Sequence, residues 1–87
     1  MNTEINVVIN VPKALGESVE ISLNKPSSIL EVINNNLEKS IIDKIIYDNE
    51  FSRFALIYLN GERVKNSDSL VFTSKNDIDI IIPMAGG

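Results

Sequence analysis

The 87-residue chain contains no cysteine and no histidine. Without cysteine there is no disulfide framework and no thiol chemistry within the chain. Without histidine, Ser-His and Cys-His nucleophile pairs and imidazole acid–base catalysis are excluded, and no metal site is expected. Long apolar runs are also missing. None approaches the roughly 20 residues that a membrane-spanning helix needs, so no membrane partner is expected. The opening residues, MNTEINVV, have neither the basic nor the apolar region of a secretory leader, and the chain is expected in the cytoplasm. Basic residues are scarce: 8 Lys and Arg stand against 12 Asp and Glu, for a net charge of −4. With no cluster of Lys and Arg, no nucleic-acid partner is expected. The acidic balance suits a partner with a positive docking face instead.

What remains is a chain that is 44% hydrophobic and 23% charged, the composition of a folded domain. Its length allows one domain and one core. Ile5, Val7, Ile9 and Val11 alternate with Asn6, Val8 and Asn10, the period of a strand with one buried face. Pro12 ends that run. Val19, Ile21 and Leu23 alternate again, close enough to close a hairpin. In NKPSSILEVINNNLEKS the period changes. Ser28 and Glu31 fit a capping box, and Leu30, Ile33 and Leu37, with Ile29, mark one stripe of a helix of about three turns. Asn34, Asn35 and Asn36 read as its solvated face and frayed end. The next stretch, IIDKIIYDNEFS, admits a second short helix capped by Ser40, with Ile41, Ile42, Ile45 and Ile46 on the core's edge.

Residues 53–59 of RFALIYLNGERV are rich in strand formers, and Asn60-Gly61 signals a type I′ hairpin turn. Glu62, Arg63 and Val64 return as a short strand. Leu70 and Phe72 are expected to tuck under the sheet from a polar connection. Ile78, Ile80 and Ile82 alternate with Asp79 and Ile81 in a last strand stopped by Pro83. A helix placed between an opening hairpin and later strands belongs on one face of a mixed sheet, a two-layer α+β arrangement.

Two features stand out from this frame. The chain finishes IIIPMAGG; with glycine at about 7% of residues, a Gly-Gly end arises by chance in roughly one chain in two hundred, so it calls for a reason. Val8 and Ile81 also lie on the solvent parity of their strands. If Ile57 and Leu59 face the core, Leu56 and Tyr58 point outward with them, and the four would form an apolar docking patch. Asp77 and Asp79 make a poor calcium site without further ligands. Gly16 is a turn glycine with no phosphate-loop pattern around it.

The order of elements, RFALIYLNGERV and the ending IDIIIPMAGG resemble the ubiquitin-like β-grasp fold, and within it the ThiS/MoaD-type sulfur carriers: the thiamine-pathway carrier, the molybdopterin-synthase small subunit and the cysteine carriers. The match is closest over residues 53–87. The resemblance implies a mixed four- to five-stranded sheet with one main helix on one face, its first and last strands parallel neighbours. It implies a β-grasp domain over residues 1–82 and a flexible C-terminal tail over 83–87. It also implies a protein substrate rather than an enzyme. An adenylating, ubiquitin-activating-like partner would join the Gly87 carboxylate to AMP, using ATP. A sulfur donor would displace AMP to leave a thiocarboxylate, and a sulfur-accepting synthase would use it, for molybdopterin, cysteine or another thio-metabolite. No cofactor would be bound, and the free protein would be a monomer. Attack on the activated Gly87 by a lysine, which would make the chain a protein modifier, shares the same first step; a plain interaction module is the third alternative.

The chemistry gives a reason for the glycines. A carboxylate that must reach a buried nucleotide through a narrow channel is hindered by any Cβ near it, which Gly86 and Gly87 lack. Pro83, Met84, Ala85 and Gly86 would lie in the partner's channel. Ordering five tail residues costs roughly 5–10 kcal/mol, so the body is expected to add a docking patch: Val8, Leu56, Tyr58 and Ile81.

Overall fold

The alternation of Ile5, Val7 and Ile9 with polar or smaller neighbours builds strand β1 (Ile5–Asn10), in which those three are buried. It turns through a tight bend, where Leu15 N–H donates to the Pro12 carbonyl at 2.8 Å, and returns as the antiparallel β2 (Val19–Leu23). The computed structural model describes residues 4–83.

A two-residue strand, β3 (Ser27–Ser28), leads into helix α1 (Ile29–Asn36). Ser28 caps it as expected, its hydroxyl accepting the Glu31 N–H at 3.1 Å. The other free donors of the first turn are met by a distant loop: Ile29 N–H donates to the Ser69 carbonyl and Leu30 N–H to that of Ser67. The helix is two turns long rather than three. Its buried stripe is Ile29, Val32 and Ile33, with Leu30 rotated to the margin. Asn34 and Asn35 are solvated, whereas Asn36 folds back to donate to the Val32 carbonyl.

Helix α2 (Lys39–Ile45) follows, and its N-cap is Glu38, not Ser40. Ile41 and Ile45 enter the core. Strands β4 (Ile46–Tyr47) and β5 (Glu50–Phe51) then pair in a hairpin whose two turn residues, Asp48 and Asn49, have φ of 55° and 62°. Asp and Asn tolerate that left-handed region better than other side chains, which lets a two-residue turn form here.

Strand β6 (Leu56–Leu59) starts three residues later than RFALIYL suggests, because Ser52 holds a turn by accepting from the N–H groups of Phe54 and Ala55. Asn60 and Gly61, with φ of 52° and 87°, turn it into β7 (Glu62–Val64). In β8 (Leu70–Val71), which pairs with β3, the expected parity is reversed. Val71 is fully buried, while Leu70 and Phe72 are 53% and 65% exposed. The last strand, β9 (Lys75–Ile81), is parallel to β1 and antiparallel to β6, giving a sheet of order β2-β1-β9-β6-β7.

The core lies between this sheet and the helices. Among the described residues its buried apolar members, apart from Ala55, are isoleucine and valine, and no aromatic side chain is among them. Branched side chains with few rotamers suit a sheet face and lose little freedom on packing.

Candidate functional site

β9 is bonded on both sides, to β1 and to β6, so the chain leaves the sheet from its middle and not from an edge. At its end Ile81 lies opposite Leu56, the first residue of β6. Beyond it Ile82 is half-buried against the core and Pro83 is exposed. Pro83 is thus the last described residue of the expected tail. Met84, Ala85, Gly86 and Gly87, and with them the expected reactive carboxylate, lie outside the described residues.

The sheet's register settles the face of each docking residue. Tyr58 is opposite Asp79 and Leu56 opposite Ile81, so these side chains share the face away from the helices. Ile81 is 46% exposed, and Leu56 and Tyr58 are half-buried. Residues 40–52 do not cover them, since α2 packs on the other side with Ile41 and Ile45 in the core. Tyr58 and Ile81, with Val11, Pro12 and Asp79, line an open depression of about 400 Å³ at the place where the chain departs. Val8 is not part of this group. It lies between Glu20 and Asp77 in the cross-strand register, separated from Tyr58 by Asn10 and Asp79.

Polar groups fix this outer face. Asn10 donates to the Asp79 carboxylate at 2.8 Å and accepts from the Ser18 hydroxyl at 3.0 Å, a chain of bonds from β9 across β1 to the residue before β2. On the inner face Asn76 is buried and fully engaged. Its amide donates to the carbonyls of Asn6 and Thr73, while its oxygen accepts from the Thr73 hydroxyl and the Asn60 amide. Asn60 in turn accepts the Asp77 N–H at 2.8 Å. The apolar cluster at the exit therefore rests on a braced strand, with carboxylates beside it, and it can serve to seat a partner rather than to perform chemistry.

Solved structures share this fold. A chain of the Amycolatopsis orientalis BexX/CysO complex superposes with a TM-score of 0.75 and 24% identity, covering 93% of this chain and 99% of its own. SAMP1 from Haloferax volcanii gives 0.74 and 11%, over 94% and 99%. The Haloferax volcanii HVO 2177 protein gives 0.70 and 13%, over 98% and 89%. The chain has the ubiquitin-like β-grasp fold. No protein-family model matches the sequence, and no curated protein matches it significantly.

One surface of this β-grasp domain escaped the sequence reading. Tyr47 and Phe54 are 80% and 69% exposed, at the corner made by α2, the β4–β5 hairpin and the start of β6. The signal was present in Asp48-Asn49, which marks a tight turn as Asn60-Gly61 does.

Proposed function

We propose that the protein is a sulfur carrier whose reactive group is the Gly87 carboxylate. The observation that carries this reading is the exit of the chain. The central strand leads to exposed Pro83 beside a partly exposed apolar cluster of Leu56, Tyr58 and Ile81, and Met-Ala-Gly-Gly follows Pro83 in the sequence. A partner that grips this cluster offsets part of the ordering cost of the last residues, roughly 1–2 kcal/mol for each. The likeness to a chain of the two-protein BexX/CysO complex supports docking of this fold on a partner protein.

In the proposed cycle a Gly87 carboxylate oxygen attacks the α-phosphorus of ATP, and pyrophosphate leaves. The acyl adenylate forms in the active site of a partner of the ubiquitin-activating type, and a sulfur donor displaces AMP. The resulting thiocarboxylate hands its sulfur to a synthase. The chain supplies the carrier atom and the docking surface; the partners supply catalysis. Molybdopterin, cysteine and other thio-metabolites are all compatible destinations.

Intact-mass measurement tests the reading. Incubation of the chain ending in a free Gly87 with its activating enzyme, ATP and a sulfur donor is expected to exchange one oxygen for one sulfur. An unchanged mass beside an active enzyme would overturn it. Branched lysine peptides bearing the C-terminal remnant in digested lysates would point instead to protein modification through Gly87.

A further inference from the structure

The Tyr47–Phe54 corner lies outside the outer sheet face and plays no part in the sulfur chemistry. Two largely exposed aromatic rings are costly to leave in water and are not needed for the core, which is complete without them. They flank an open depression of about 460 Å³ that is also lined by Asp43, Glu50, Phe51 and Arg53. Its floor is built: Phe51 packs against the core, and Ser52 N–H donates to the Ile45 carbonyl at 2.7 Å, tying the hairpin back to α2. Aromatic faces carry negative potential at their centres, and here they stand beside two carboxylates. That combination attracts a cation with an apolar stem. It repels phosphate, which disfavours nucleic acid and anionic lipid as occupants.

We infer that this corner is a second docking site, which takes a lysine or arginine side chain from a basic segment of a partner protein. The occupant's stem lies against Tyr47 and Phe54 while its charge faces Asp43 and Glu50. Arg53 also lines the depression, and its positive charge weakens the site for an incoming cation. The site borders the end of the sheet from which β9 departs, because Phe54 is two residues before Leu56, the register partner of Ile81. A protein seated over the exit can therefore reach it. The inference does not depend on the sulfur reading, since it uses only residues 43–54.

The test is an amide NMR titration of the full chain with an acetylated, amidated Gly-Lys-Arg-Lys-Gly peptide, and with Gly-Glu-Asp-Glu-Gly as control. The basic peptide is expected to shift residues 43–54, the acidic one not, and salt is expected to weaken the effect. Tyr47→Ala or Phe54→Ala should each weaken binding about two- to five-fold. Asp43→Asn with Glu50→Gln should remove it, and Arg53→Gln should tighten it. Unchanged signals from Ile33 and Ile57 show that each variant is folded. Equal shifts around Glu20, Asp77 and Asp79 would overturn the site as mere charge attraction. Concentration-dependent shifts at 43–54 without peptide would overturn it in favour of a second copy of the chain.

Discussion

Asn76 and Gly61 show how single residues hold the end of the sheet where β9 begins, opposite its exit. Asn76 is buried and its side chain bonds Asn6, Asn60 and Thr73, so its truncation removes the bonds that tie β1 and the β6–β7 turn to β9. Asn76→Ala is expected to cost about 1–3 kcal/mol, read from chemical denaturation. Gly61 has open space around a Cβ but a φ of 87°. Gly61→Ala should therefore lower stability by roughly 1–2 kcal/mol through backbone strain alone, and Gly61→Asn by less. At the other end, Gly86→Ala is expected to slow sulfur transfer while leaving the denaturation midpoint where it was. A wild-type transfer rate in that variant would remove the narrow-channel argument.

Elements differ in how plainly their sequences announce them. The β1–β2 hairpin, the Ser28–Glu31 cap and the Asn60-Gly61 turn were legible because each has a local cause: alternation, a side-chain acceptor, a left-handed turn. Ser28→Ala should cost about 1 kcal/mol and Ile33→Ala about 2–5 kcal/mol, since Ile33 is wholly enclosed. Short elements hide their parity. Two residues of β8 carry no period, so Val71 rather than Leu70 and Phe72 became the core residue through pairing with β3. The start of α2 was misplaced for a related reason. Ser40 is a good capping type, but the Glu38 carbonyl accepts from the N–H groups of Ile41 and Ile42, which starts the helix at Lys39, before that serine. On the outer face, Ile81→Glu should change stability by under about 0.5 kcal/mol, as for most surface sites. The same change should weaken partner binding markedly in a pull-down or calorimetric titration.

At the scale of the whole molecule, one sheet separates two jobs. Its inner face, with the helices, holds the core; its outer face carries the partly exposed Leu56, Tyr58 and Ile81, the surface that the proposed function assigns to a partner. Removing residues 84–87 is therefore expected to leave the denaturation curve unchanged and to abolish adenylation. A shifted curve would mean that those residues contribute to the fold. The sheet also explains why only part of the candidate patch became a patch. Outward parity was correctly readable for Val8, Leu56, Tyr58 and Ile81, but parity says nothing of distance along neighbouring strands. The register puts Leu56, Tyr58 and Ile81 together and sets Val8 among Glu20 and Asp77.

The sequence alone determined which residues alternate, where one helix is capped, where the long hairpin turns, and that the chain has neither thiol nor imidazole chemistry of its own. These follow from the local sterics and side-chain chemistry of a few neighbouring residues. Tertiary structure decided the register that groups Ile81 with Leu56, the burial of Val71, and the exposure of Tyr47 beside Phe54. Each of those depends on backbone pairing or packing between segments far apart in the chain, where no local pattern reaches.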